Sequence, residues 1–326
     1  MSSPSGMASP EFGWVDIYIG DGYSEMKQVA GAFAPRIPVP AEMQAEVDIL
    51  REKCIEAYER LGDSEFSIMQ GKTLLRVTQM QDVTNSHVFF LRRPEAQIRE
   101  FATLGFPPHV VKMLLDKTTR GLILFAGEMG VGKTSSCASL AVKRLQIHGG
   151  VCIAIEDPPE TALNGLHGNG RCIQITASRK SGGYREHLIK AMRSSADLIL
   201  IGEIRDTAAA VEALKASLNG RLVIATVHAG DVPDVLTRMA TFCAGELANT
   251  NDLLADGLAT IIWQTIKRTP GQPDRLVVKT LTINKSDSGL RAKIRKGDFG
   301  QVNQDVDQQL KQASWNTDNL FGANRT

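Results

Sequence analysis

The sequence predicts an α/β chain: a small α+β domain followed by a parallel-rich sheet wound with helices. Three observations predict it. Short β-rich apolar runs, GLILFAG (121–127), VCIAI (151–155), LILIG (198–202) and LVIATVH (222–228), alternate with helical stretches at 132–147, 184–195, 206–219 and 232–242. That rhythm belongs to βαβ units whose strands are buried on both faces. Residues 14–93 mix strand and helix patterns without the alternation, and PEAQIREFATLGFPPH, punctuated by proline and glycine, puts the junction near residues 94–108.

WVDIYIG alternates like a strand, and PAEMQAEVDILREKCIEAYERLG has apolar residues at helical spacing with a glycine stop. TLLRVTQMQ and SHVFFLRR read as two further strands. After the alternating region, residues 247–268 are expected to be helical, RLVVKTLTI to be a strand, and 288–297 and 301–313 to be two terminal helices. The opening MSSPSGMASPEF is rich in serine, proline and glycine. The expected organisation is a flexible tail or cloning remnant over 1–13, an N-terminal domain over 14–100, a linker over 101–120, a large domain with C-terminal helices over 121–314, and a flexible tail over 315–326.

A chain of 326 residues with 43% hydrophobic content can build a proper core. Thirty-seven basic residues against 36 acidic ones leave no bulk electrostatic case for nucleic acid or an anionic membrane, so direct nucleic-acid binding is not expected. The five cysteines form no C-x-x-C pair and several sit in apolar runs, which reads as a reducing cytoplasm. No stretch reaches the ~18 uninterrupted apolar residues of a membrane span, and no signal peptide precedes the fold.

In an open parallel sheet the ligand site lies outside the carboxyl ends of the strands. Here the runs are followed by EMGVGKT, EDPPE, EIRD and AGD. GEMGVGKT fits G-x-x-x-x-G-K-[ST] at each fixed position, with a strand before it and a helix after it. Gly127, Glu128, Met129, Gly130, Val131, Gly132, Lys133, Thr134 and the adjoining Ser135 therefore form a candidate phosphate cradle. Glycines let successive N–H groups turn toward an anion, and the helix N-terminus adds its dipole. Lys133 is placed to reach the β/γ-phosphates and the Thr134 hydroxyl to ligate Mg²⁺.

In many phosphate-loop enzymes the strand facing the γ-phosphate ends in aspartate. In LILIGEIRD that place is Gly202, and the acid, Glu203, arrives one residue later. Glu203 is the candidate to orient or deprotonate the attacking water; the alternative is that it joins Asp206 in capping the next helix. IEDPPE repeats the device with Glu156, either assisting the water or the Mg²⁺ shell or marking a plain surface turn. His228 ends a third strand, where an imidazole can bond the γ-phosphate or Glu203, or serve structure alone.

Together and in this order, GEMGVGKT, IEDPPE, LILIGEIRD and TVH resemble the Walker A loop, Asp box, Walker B strand and His box of the secretion ATPase superfamily. Its members are the motor ATPases of type II and type IV secretion, type IV pili and conjugation. The similarity covers about residues 70–310. GLRAKIRKGD (289–298) resembles the A-I-R-x-x-I-R-x-G-K signature of the PilT-like, pilus-retraction branch, with Gly289, Lys293 and Asp298 departing from it. The tetracysteine module of many type II members is absent, as on the type IVB side.

The resemblance implies a RecA-like P-loop NTPase domain, a PAS-like N-terminal domain, ATP as substrate with Mg²⁺, and a homohexameric ring. It implies an arginine reaching a neighbour's site from the N-terminal domain, for which Arg76, Arg92 and Arg93 match. It further implies an inner-membrane platform protein as partner, and peripheral membrane association through that partner from the cytoplasmic face. The rival functions are a RecA-like nucleic-acid translocase and a nucleotide-gated scaffold without turnover.

Overall fold

The computed structural model describes residues 14–27, 29, 34–71, 73–93, 98–178, 182–269, 271–272, 274–284 and 286–322, with backbone alone over 313–322. The tail expected over 1–13 and residues 323–326 lie outside the described residues. The chain divides between residues 95 and 96 into two compact units.

The first unit is a six-stranded antiparallel sheet with one helix. Its strands are β1 (Asp16–Gly20), β2 (Tyr23–Lys27), β3 (Arg36–Pro38), β4 (Glu65–Gln70), β5 (Thr73–Gln81) and β6 (His87–Arg92), in the order β3-β2-β1-β6-β5-β4. Helix α1 (Gln44–Leu61) stops at Gly62, whose left-handed conformation closes the last turn onto the Tyr58 carbonyl. Alternation decides which sheet face is dry. Ile17, Leu91 and Val77 are register partners and join Val47, Leu50 and Cys54 of α1 in one core. The residues one step along, Asp16, Arg92 and Arg76, align on the other face.

The second unit holds an eight-stranded sheet in the order β14-β13-β7-β12-β11-β8-β10-β9. Its strands are β7 (Gly121–Gly127), β8 (Gly150–Glu156), β9 (Gly165–His167), β10 (Gly170–Thr176), β11 (Leu198–Ile201), β12 (Leu222–His228), β13 (Leu258–Lys267) and β14 (Arg275–Thr282). The six from β13 to β10 run parallel, and β14 and β9 add antiparallel edges. The helices are α2 (Pro108–Leu115), α3 (Lys133–His148), α4 (Gly183–Arg193), α5 (Thr207–Leu218), α6 (Val232–Cys243), α7 (Thr250–Gly257), α8 (Ser288–Lys296) and α9 (Val302–Gly322).

The central strands β7, β8, β11 and β12 are dry on both faces, which is why they read as apolar runs, whereas β9, β10 and β14 keep exposed positions. Ile199 and Ile201 face a core with α4, α5 and α6, whereas Leu198 and Leu200 face one built with α2 and α3. All five cysteines are buried and none is in a disulfide. Among the described residues no helix is long and apolar enough to cross a membrane.

Three expectations change. Residues 258–267, read as helix, form β13 beside β7. The helix breaks at Gly257, where a Cβ would meet Leu214 Cδ1 at 2.6 Å and Ser217 Oγ at 2.7 Å, so close passage over α5 turns the chain into the sheet. Part of the expected linker, 101–120, belongs to the core: Phe101, Phe106, Val110 and Leu114 are buried against α3. Finally, α9 carries helical backbone to Gly322, through residues expected to be a tail.

Candidate active site

The glycine turn, Glu156, Glu203 and His228 follow or end parallel strands at the carboxyl rim of the sheet. His228 pairs in register with Gly127, Ala225 with Ile201, and Ile201 with Ile155. Strand length then delivers the turn after β7, Glu156, Glu203 and His228 to one edge.

The turn from Gly127 to Gly132 joins β7 to α3. Gly127, Gly130 and Gly132 have φ of 144°, 76° and 82°, a region that side chains with a Cβ rarely adopt. Glu128, Met129 and Gly130 are exposed at its tip, and Thr134 and Ser135 are half-buried in the first turn of α3. The Lys133 ammonium is buried and donates back to the Gly127 and Glu128 carbonyls at 3.0 and 2.7 Å. Burial lowers its pKa, and the Glu203 charge opposes that.

Lys133 Nζ also lies 3.3 Å from His228 Nδ1, and His228 Nε2 lies 3.3 Å from Glu203 Oε1. An ammonium can only donate, so Nδ1 accepts and the ring proton sits on Nε2, facing the carboxylate. Three strand ends are thereby joined in one polar line, Lys133–His228–Glu203. Glu203 has no part in capping α5. That cap is Asp206, whose Oδ1 accepts from the Ala209 N–H at 2.8 Å.

Glu156 differs. Its side chain is only 2% exposed, Oε1 accepts from Gln174 Nε2 at 2.8 Å, and Oε2 accepts from the Glu160 N–H at 3.3 Å. Burial raises its pKa to about 7 against the pull of those hydrogen bonds. A Cβ on Gly202 would stand 3.0 Å from Glu156 Cγ, so the glycine before Glu203 is where the backbone passes over this buried carboxyl. Thr226 Oγ1 donates to the Gly202 carbonyl at 2.6 Å, and the Ile204 N–H donates to the Thr226 carbonyl at 2.8 Å, tying the segment to β12. Arg205 pairs with Asp157 across the same edge.

The N-terminal-unit arginines are held differently from one another. Arg92 bonds Asp16 through Nε at 2.8 Å and Nη2 at 3.3 Å. Arg76 stands opposite Arg92 on the same sheet face. Arg93 lies over the Trp14 ring at 4.4 Å. Sequence reasoning missed Gln174, which holds Glu156, and Gln264, which bonds the Val131 carbonyl at 2.7 Å. Neither belongs to a motif. The only signal is an amide among aliphatic neighbours, Ile173 and Ile175 beside Gln174 and Ile261 and Ile262 before Gln264, and β10 and β13 do not read as strands in the sequence.

The donor set suits Mg²⁺. Thr134 offers a half-buried hydroxyl with no hydrogen-bond partner among the described residues, and those residues contain no group of three or more His, Cys, Asp or Glu able to cage a metal. Mg²⁺ is ordinarily held by one or two protein oxygens together with substrate phosphates and water.

A wound parallel sheet with a glycine turn, a buried lysine and a histidine–carboxylate pair at one rim defines the class, an α/β fold laid out like the P-loop proteins. The family model for Type II/IV secretion system protein matches residues 62–294, and the chain belongs to that family. PilU of Pseudomonas aeruginosa, a type IV pilus ATPase, is 28% identical over 301 residues, 90% of this chain and 76% of that one. TfpB of Acinetobacter baylyi, a type IV pilus assembly ATPase, is 34% identical over 148 residues, 45% of this chain and 24% of that one. The chain thus spans about three quarters of PilU and about a quarter of TfpB. The crystal structure of the pilus retraction motor PilT with bound ADP has the same fold, with a TM-score of 0.73 at 26% identity over 90% of this chain and 85% of that one.

Proposed function

We propose that this chain is a motor ATPase of pilus or secretion machinery, binding ATP in the turn 127–134 and hydrolysing it with a water oriented by Glu203. The observation that carries the reading is the line Lys133–His228–Glu203, which joins the cradle to a carboxylate about a third exposed. A lysine aimed into the turn is suited to the β/γ-phosphates, and a carboxylate beyond it to the proton of an attacking water. His228 holds that carboxylate at a fixed distance through Nε2–H. Thr134 would hold Mg²⁺, which when bound neutralises charge on the β- and γ-phosphates. Glu156, shielded below Gly202, supports the strand end that carries Glu203.

The working unit is a homohexamer in which an arginine of one subunit's N-terminal unit completes the site of its neighbour, coupling hydrolysis to subunit motion. Arg76 and Arg92 are the favoured pair because they share the sheet face that α1 does not cover. The ring acts at the cytoplasmic face of the inner membrane through a platform protein, serving a type IV pilus, type IV secretion or conjugative transfer. Native mass in solution with and without ATP tests the ring, and phosphate release by the assembled chain tests the chemistry. Absence of turnover in an assembled ring that binds ATP sinks the motor reading, and K133A should abolish ATP binding in the wild-type fold.

A further inference from the structure

The geometry points to Gln264 as a positioning residue for phosphate binding: its side-chain amide sets the Val131–Gly132 peptide so that the Gly132 N–H faces the bound anion. The inference rests on the proposed nucleotide site and adds a residue outside every motif.

Gln264 lies on β13, directly after Trp263, the register partner of Ala126, and so beside Gly127 at the start of the turn. It is 1% exposed, in a strand whose other buried side chains include Ile261 and Ile262. Its Nε2 donates to the Val131 carbonyl at 2.7 Å, and that acceptor decides which end of the amide faces the turn. The Gln264 carbonyl also occupies the space that a Cβ on Gly127 would need, and its Nε2 stands 3.8 Å from where a Cβ on Gly132 would lie. One residue thus meets the turn at its first glycine and at the carbonyl before its last one.

A trans peptide is planar, with C=O and N–H pointing in opposite directions. Pinning the Val131 carbonyl toward β13 therefore turns the Gly132 N–H away from β13, to the open side of the turn. This peptide turns about ψ of Val131 and φ of Gly132, and with a glycine at 132 the second of these is permissive, so the amide adds a fixed point to it.

The fold gains one buried hydrogen bond from this arrangement and carries an unpaired oxygen with it. Gln264 Oε1 is buried and meets no hydrogen-bond donor among the described residues, and a half-satisfied amide is a burden in an apolar strand. Methionine has similar length and volume and carries neither polar group. A polar residue that packing does not require, bonded only to the anion-binding turn, is what a positioning role demands.

The test compares wild type, Q264M and Q264E for ATP and ADP affinity, by competition with a fluorescent ADP analogue, and for steady-state turnover. Q264M should remain folded in the absence of nucleotide and unfold about 2–10 °C below wild type, because the Val131 carbonyl loses its donor. Its Kd for both nucleotides and its KM for ATP should rise about tenfold with kcat little changed, because the lost orientation affects ground and transition states alike. In Q264E a protonated carboxyl can donate to the Val131 carbonyl and an ionised one cannot; burial here raises the carboxyl pKa above its ordinary value of about 4.3, so affinity relative to wild type should recover as pH falls from about 8 to about 5. A merely structural role would not produce that recovery. Q264M binding both nucleotides as wild type does, or Q264E with no pH-dependent recovery if Q264M fails to fold, overturns the proposal. A wild-type chain that binds neither nucleotide overturns the site reading and this proposal with it.

Discussion

Glu156 and Glu203 leave neighbouring strands at the same rim, yet their surroundings divide them. Glu156 is 2% exposed, holds two neutral donors and titrates near neutrality. Glu203 is about a third exposed and faces an imidazole N–H. The motif chemistry is the same, a carboxylate after an apolar strand; burial alone gives one a shielded, protonatable character and the other access to a water. Depth rather than residue type separates the two carboxylates at this rim.

The sharpest way to break that contrast is E203Q. Turnover should fall by about 10²–10⁴-fold, with ATP affinity within about twofold of wild type. Parallel phosphate-release and nucleotide-binding assays check this, and a mutant that keeps its turnover removes Glu203 from the chemistry. E156Q should cost far less turnover and should instead change the pH profile of stability. With a folded pKa of about 7 above an unfolded 4.5, the native state binds the proton more tightly. Its contribution is therefore fully present below pH 4.5 and is lost as pH rises through 7. Wild type should lose on the order of 3 kcal/mol over that window relative to E156Q, read by urea unfolding at stepped pH.

Q174L sharpens the same point by removing the amide that favours ionised Glu156. The Glu156 pKa should move further up, and stability should fall by about 1–3 kcal/mol, as seen by chemical denaturation. The smallest effect is expected at D206A, which removes the cap of α5 and should cost about 1 kcal/mol while leaving ATP turnover per folded chain unchanged.

The first unit offers a second contrast. Its sheet has one face covered by α1, so its strands alternate, and only three of six were read from the sequence; β2, β3 and β4 are short or half-exposed and carry weak patterns. In the second unit four parallel strands are legible because burial on both faces makes each a mainly apolar run ending in glycine, a carboxylate or histidine. β13 is not, since ADGLATIIWQTIKR carries apolar residues compatible with a helix, and contact with α5 at Gly257 is what ends α7. Proline and glycine around Phe101 and Phe106 read as a linker because local punctuation carries no information on whether aromatic side chains find a core.

By itself the sequence determined the parallel sheet, the phosphate turn and the set of charged residues at strand ends, since these follow from runs and spacings a few residues long. Only the tertiary structure decided that Glu156 is buried and Glu203 open, that His228 links Glu203 to Lys133, and that Gln174 bonds Glu156 and Gln264 bonds the Val131 carbonyl. The physical reason is that depth and hydrogen-bond partnership depend on strands far apart in the chain lying side by side. An amide inside a strand has no local signature until its neighbour across the sheet is known.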